Sequence, residues 1–120
     1  MLIKNLKDCP EFTAGDDSLL RELFHPDKAD LDIPYSLAHA TVHPKRKTIP
    51  HRLKASEVYY IIQGKGIMHI NDESAEVTAP SAVYIPPNST QYIENTGTSD
   101  LKFLCIVDPA WRSELEQILH

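Results

Sequence analysis

The chain has 120 residues, 42% of them hydrophobic and 24% charged, which fits one ordinary globular domain and excludes a disordered chain or two full domains. Its 12 Lys and Arg stand against 17 Asp and Glu, and the resulting net charge of −5 argues against nucleic acid or an anionic membrane as the main partner. The longest apolar runs, Val58–Ile62 and Phe103–Val107, are five residues each, so neither a transmembrane helix nor a signal-peptide core fits. With only two cysteines, Cys9 and Cys105, there is no disulfide framework, and reduced thiols in a cytoplasmic protein are expected.

Residues 1–17 are polar and irregular and close on the turn signal Ala14-Gly15-Asp16-Asp17. Ser18–Phe24 carries Leu19, Leu20, Leu23 and Phe24, a pattern open to a short helix or an edge strand. Pro26 ends it, and residues 25–34 read as a loop. From there the chain breaks into short β-rich runs: Tyr35–Val42, Glu57–Gln63, Ile67–Ile70, Glu76–Thr78, Ala82–Ile85, Gln91–Glu94 and Leu101–Val107. Turn residues separate them, including Gly64-Lys65-Gly66 and Asn71-Asp72-Glu73, and this rhythm is that of an all-β sandwich or barrel. The tail reads differently. Asp108-Pro109 resembles a helix N-cap followed by proline, and Trp111, Leu115, Ile118 and Leu119 fall on one face of a short C-terminal α-helix. Trp111 is expected to clamp that helix onto the barrel.

Two stretches then stand out: Pro50–Gly64 (PHRLKASEVYYIIQG) and Pro80–Asn95 (PSAVYIPPNSTQYIEN). Together they resemble the paired motifs of the cupin superfamily, and the resemblance covers about residues 36–108. In the first motif His51 stands at the first histidine, Glu57 at the glutamate and Gly64 at the closing glycine. In the second, Pro86 and Asn95 match at the required spacing. There are departures. Lys45 and Pro80 replace the leading glycines, Asn88 the inner glycine, Leu53 the second histidine and Gln91 the third.

The resemblance implies a double-stranded β-helix, the cupin jelly-roll β-barrel. The expected organisation is an N-terminal extension with an edge strand over residues 1–34, the barrel over 35–108 and the helix over 109–120. A homodimer is also implied, with Ser18–Phe24 taken as a strand exchanged between partners. In the family three histidines and the glutamate hold a divalent metal. Here His51, Glu57 and Gln91 are the remaining candidate ligands, expected to converge within the barrel. They would form a weak metal-binding site for Zn, Mn, Fe or Ni, or else a polar pocket without metal in which His51 and Glu57 hydrogen-bond each other.

A metal-free pair of this kind would act as general acid and base, with Tyr59 adding a hydroxyl. If Glu57 points inward, as the resemblance implies, period-two alternation turns Tyr59 and Ile61 inward as well. The barrel alignment turns Ala38, Ala40, Phe103 and Cys105 toward the pocket as well, and Leu53 leaves one side dry. His39, His43 and His69 face the other way. His39 would replace the missing ligand only if the register slipped by one residue.

No phosphate loop, nucleophile elbow or Cys-x-x-Cys pair is present. Lys45-Arg46-Lys47 with Arg52 and Lys54 reads as a solvated loop or as a mouth for an anionic, sugar-phosphate-like metabolite, which a weaker similarity to the mannose-6-phosphate isomerase-like branch would suit. Two functions stay open. One is an isomerase, lyase or cyclase rather than an Fe(II) oxygenase; the other is a non-catalytic binding or sensing module without metal.

Overall fold

The computed structural model describes residues 1–120. It contains eleven strands in chain order: β1 Phe12–Thr13, β2 Leu19–Phe24, β3 Ser36–Val42, β4 His51–Leu53, β5 Ser56–Gln63, β6 Lys65–Ile70, β7 Glu73–Thr78, β8 Ser81–Ile85, β9 Thr90–Asn95, β10 Leu101–Asp108 and β11 Glu116–Ile118. The helical pieces are two three-residue 3-10 turns, Leu6–Asp8 and Ser113–Leu115. The strands form two antiparallel sheets, ordered β1-β2-β3-β10-β5-β8 and β11-β4-β9-β6-β7. This is an all-β jelly roll.

Alternation along the strands builds the interior. On β5 Glu57, Tyr59 and Ile61 are buried while Tyr60 and Ile62 are exposed; on β10 Leu101, Phe103, Cys105 and Val107 are buried. β9 sends in Gln91, Ile93 and Asn95. A core of Ala40, Val42, Tyr59, Ile61, Met68, Ile85, Ile93, Leu101, Phe103 and Cys105 fills one end of the space between the sheets. A smaller cluster of Leu53, Ala55 and Val107, with Leu115 against it, sits apart from that core. The site lies among residues of both.

The motif residues have structural work that is visible here. Gly64 has φ +90°, and a side chain there would press on the Asp100 carbonyl. Gly66 lets β6 approach β9: a Cβ would collide with the Glu94 carbonyl oxygen. Asn95 donates from Nδ2 to the carbonyls of Val42 (2.8 Å) and Ser99 (2.9 Å) and accepts from the Gly97 N–H. Lys45 and Asn88, which replace motif glycines, keep left-handed backbones at φ +64° and +65°. Asparagine tolerates that region, whereas lysine carries its full steric cost. The Asn88 N–H also donates to the Leu53 carbonyl at 2.8 Å and so ties the two motifs together.

Two expectations need correction or refinement. The tail is not an α-helix. Residues 113–115 make one 3-10 turn, and β11 then pairs with β4 in the register Glu116↔Leu53, Gln117↔Arg52 and Ile118↔His51. The Lys54 N–H donates to the Leu115 carbonyl and the Leu119 N–H to Pro50, each at 2.8 Å. A helix this short is marginal alone, and pairing along β4 satisfies backbone groups that a helix would leave exposed. Ser18–Phe24 is a strand over Leu19–Phe24, half-buried throughout, in the register Leu19↔Thr41 to Phe24↔Leu37 with β3.

Candidate functional site

Between the sheets lies a cavity of about 270 Å³. Strands β3, β4, β5 and β10 supply Ala38, His51, Leu53, Glu57, Tyr59, Phe103 and Cys105 to its wall. The β1–β2 segment and the C-terminal tail close it with Phe12, Asp16, Trp111 and Glu116. Its volume lies just below the range of about 300–1,000 Å³ typical of ligand pockets, which suits a small metabolite.

His51 is 3% exposed. Its Nδ1 lies 2.8 Å from the Ile49 carbonyl. A carbonyl only accepts, so Nδ1 carries a hydrogen, and in the neutral ring Nε2 presents its lone pair. The acid nearest Nε2 is Asp16, with Oδ2 at 3.8 Å. The expected His51–Glu57 hydrogen bond is not formed. Asp16 takes the place of that partner because its turn folds back onto β4: the Ile49 N–H donates to the Asp16 carbonyl at 2.7 Å. Asp16 Oδ1 is held in turn by the N–H (3.0 Å) and hydroxyl (2.6 Å) of Ser18.

Glu57 is a strongly perturbed carboxyl. Burial first, then the Asp16 and Glu116 charges, push its carboxyl up to about 8, against an opposing hydrogen bond from Gln91. At neutral pH it is therefore mostly protonated. Its Oε1 is buried and has no hydrogen-bond partner. Tyr59 donates its hydroxyl to Gln91 Oε1 at 3.1 Å and packs on Phe103 with ring centroids 4.4 Å apart. Burial raises both the Tyr59 hydroxyl and the Cys105 thiol well above their usual values. Cys105 is thus a protonated wall residue rather than a nucleophile.

Gln91 sits directly opposite His51 across β4 and β9 but lies behind the cavity wall, 1% exposed, and Ala40 lies in the core. These placements bear on a metal, which the family resemblance implies. The donors do not fit one. Leu53 offers carbon where a ligand would stand, and Gln91 lies behind the cavity wall with its oxygen accepting from Tyr59. No three His, Cys, Asp or Glu side chains are grouped so as to hold an ion.

The other histidines lie elsewhere. His39 pairs with Arg21 on the side of β3 away from the cavity, and burial lowers its basicity. His43 meets Asp100 at 2.8 Å on the surface. His69 stacks on Tyr92 at 4.1 Å. His25, in a segment read simply as a loop, is 5% exposed; its Nε2–H donates to the Trp111 carbonyl at 2.6 Å, and Nδ1 accepts from the Asp27 N–H at 3.0 Å. Of the two readings of the basic cluster, the mouth for an anionic metabolite is corrected. None of Lys45, Arg46, Lys47, Arg52 and Lys54 reaches the cavity, because they lie on the turn after β3 and along or beyond β4. Lys28 is the basic residue on the wall, and it is paired with Glu22 at 2.6 Å.

The sequence did not point to Asp16, Glu116 or Phe12 as wall residues, and it favoured a clamping role for Trp111. Asp16-x-Ser18 is a readable Asx-turn signal, but nothing local says that the turn caps a cavity. Glu116 and Trp111 were obscured by the helical reading of the tail.

A jelly roll of this topology, with its polar cluster inside the barrel at the first motif, defines a cupin barrel. The cupin domain model matches residues 38–107, and the chain belongs to that family. It is 40% identical to an uncharacterized protein of Methanocaldococcus jannaschii over 110 residues, covering 91% of this chain and 87% of that one. It is 35% identical to an oxalate-binding protein of Thermotoga maritima over 51 residues, 42% of each chain. Among solved structures it resembles a predicted oxalate decarboxylase of Thermotoga maritima (TM-score 0.80, 19% identity, 90% of this chain and 99% of that one). It also resembles the polyketide cyclase RemF of Streptomyces resistomycificus (TM-score 0.77, 20% identity, 90% and 79%). At these identities the two structures establish the shared fold.

Proposed function

We propose that this cupin binds a small polar metabolite in its barrel and moves a proton on it, as an isomerase, cyclase or lyase working through its own side chains. One observation carries the reading: His51, with Nδ1–H held on the Ile49 carbonyl and Nε2 left free, and Glu57, a mostly protonated buried carboxyl, both line one small cavity. A base and an acid held in different environments on one wall can take a proton from one atom of a ligand and return it to another. Tyr59 and Gln91 position the Glu57 carboxyl, and Leu53 and Phe103 keep that side dry. Fe(II) oxygenase chemistry is not supported, since Leu53 removes the second histidine of a facial triad. The relatives that bind or act on small molecules favour a ligand in the barrel. We further propose a homodimer that works in the cytoplasm. Its support is the exposed apolar face of the larger sheet and two free, buried thiols.

The test is incubation of the protein with a metabolite extract in D2O, followed by mass spectrometry. One compound is expected to gain carbon-bound deuterium or to isomerise. His51→Ala should slow this by about 10²–10⁴-fold. If a compound is retained unchanged by both proteins, with weaker affinity in the variant, the chain is a binding or sensing module instead.

A further inference from the structure

The cavity wall has a lopsided charge. Four elements deliver carboxyl groups to it: Asp16 from the turn before β2, Glu22 from β2, Glu57 from β5 and Glu116 from β11. Against them stand Lys28, already paired with Glu22 at 2.6 Å, and the His51 ring. No arginine lines the space. Ser18 engages Oδ1 of Asp16, and the Trp111 indole N–H donates to Oε2 of Glu116 at 3.2 Å; the second oxygen of each carboxylate accepts no hydrogen bond from the protein. An independent observation points to a missing partner. Glu57, 7% exposed, lines the cavity with a buried Oε1 that nothing in the protein contacts by hydrogen bond. Buried polar atoms are ordinarily satisfied, and this orphan belongs to a side chain that lines the cavity. The wall also carries Phe12, Tyr59, Phe103, Trp111 and Leu53, beside the hydroxyls of Thr13, Ser18 and Ser36. Faces of aromatic rings attract cations.

We propose that the cavity selects an organic cation, an ammonium group on a short apolar stem, with its head among Asp16, Glu57 and Glu116 and its stem against Leu53 and Phe103. This rests on the reading of the cavity as the ligand site and names the class of ligand. An anion entering here would meet two carboxylates and no free fixed positive charge. A cation relieves the mutual repulsion of those carboxylates, the same repulsion that contributes to Glu57 holding its proton. Three N–H donors on a primary ammonium match the three carboxyl groups.

The chain has a single tryptophan, and Trp111 lies on the cavity wall, so its fluorescence reports occupancy directly. The full-length protein is titrated at neutral pH with hexylamine, hexanoate and hexan-1-ol, probes of similar shape and different charge. The amine is expected to bind at least about tenfold more tightly than either of the others. Glu116→Gln, which keeps an acceptor for the indole, should weaken the amine severalfold and leave the alcohol unchanged; Asp16→Asn, which keeps the Ser18 acceptor, should do the same. Equal or tighter binding of hexanoate or hexanol overturns the cationic preference while leaving the cavity as the ligand site. A stronger Trp111 response to Mn(II) than to the amine overturns it in favour of an inorganic ion. No response to any probe overturns both the preference and the cavity reading.

Discussion

Glu57 is a carboxyl group that the fold keeps neutral. Its pKa rises from 4.5 to about 8, first through burial and then through the charges of Asp16 and Glu116, with the Gln91 hydrogen bond pulling the other way. The folded state therefore binds this proton more tightly than the unfolded chain does. Its contribution to stability is complete below pH 4.5 and is lost as pH rises to about 8. The total is of order 5 kcal/mol at about 1.4 kcal/mol per unit. Glu57→Gln cannot ionise, so its stability advantage over the wild type should widen between these pH values and then level off. Urea denaturation across that pH range checks this; parallel curves would mean that Glu57 is not held neutral. Leu53 makes a second prediction at this scale. The chelator-stripped wild type should bind Mn(II) or Zn(II) no more tightly than about 10 μM by calorimetry, and Leu53→His should tighten this by about tenfold or more. Tight binding by the wild type would mean that a ligand is misassigned.

The tail and the loop after β2 hold each other at the level of elements. His25 uses both ring nitrogens, one on the Trp111 carbonyl and one on the Asp27 N–H, and it is almost fully buried. The Ala110 N–H reaches the Pro34 carbonyl and the Trp111 N–H the Ser36 hydroxyl, both across the same seam. His25→Ala leaves two backbone groups unpaired and should cost about 2–4 kcal/mol of stability. Trp111 emission should shift to the red as the cavity edge loosens. The nearby Arg112–Asp27 pair, with contacts of 2.9 Å, is exposed, and Arg112→Ala should have a much smaller effect. Equal effects of the two substitutions would remove His25 from this role.

For the molecule as a whole, the outer face of the larger sheet leaves Tyr60, Ile62, Tyr84 and Ile106 exposed, with Tyr84 beside Val58 and Ile106 across from Val58. A contiguous apolar patch on a sheet face favours association. Light scattering at micromolar concentration should give twice 13.6 kDa, and Tyr60→Asp should return the mass toward the monomer. A wild-type mass of 13.6 kDa would end the dimer proposal. Association through this face leaves β2 paired with β3 in its own chain and requires no strand exchange.

Alternation with a period of two made the central strands legible, because one buried face forces it: with Glu57 set inward by its motif position, Tyr59 and Ile61 follow by spacing, and all three are buried. Gly64, Pro86 and Asn95 marked the family because turns, left-handed backbone and a buried amide impose their own residue types. Leu53 likewise announced a changed metal site. The tail could not be read in this way. Its apolar spacing suits a helix, yet an unfilled edge of β4 made a strand the better state, and only the tertiary fold supplies that edge. The same holds for charge. Asp16, Glu57 and Glu116 lie far apart along the chain and look like ordinary acidic residues in sequence. Only when the β1–β2 turn and β11 close over the barrel do they share one low-dielectric space, where burial and mutual repulsion give the cavity its chemistry.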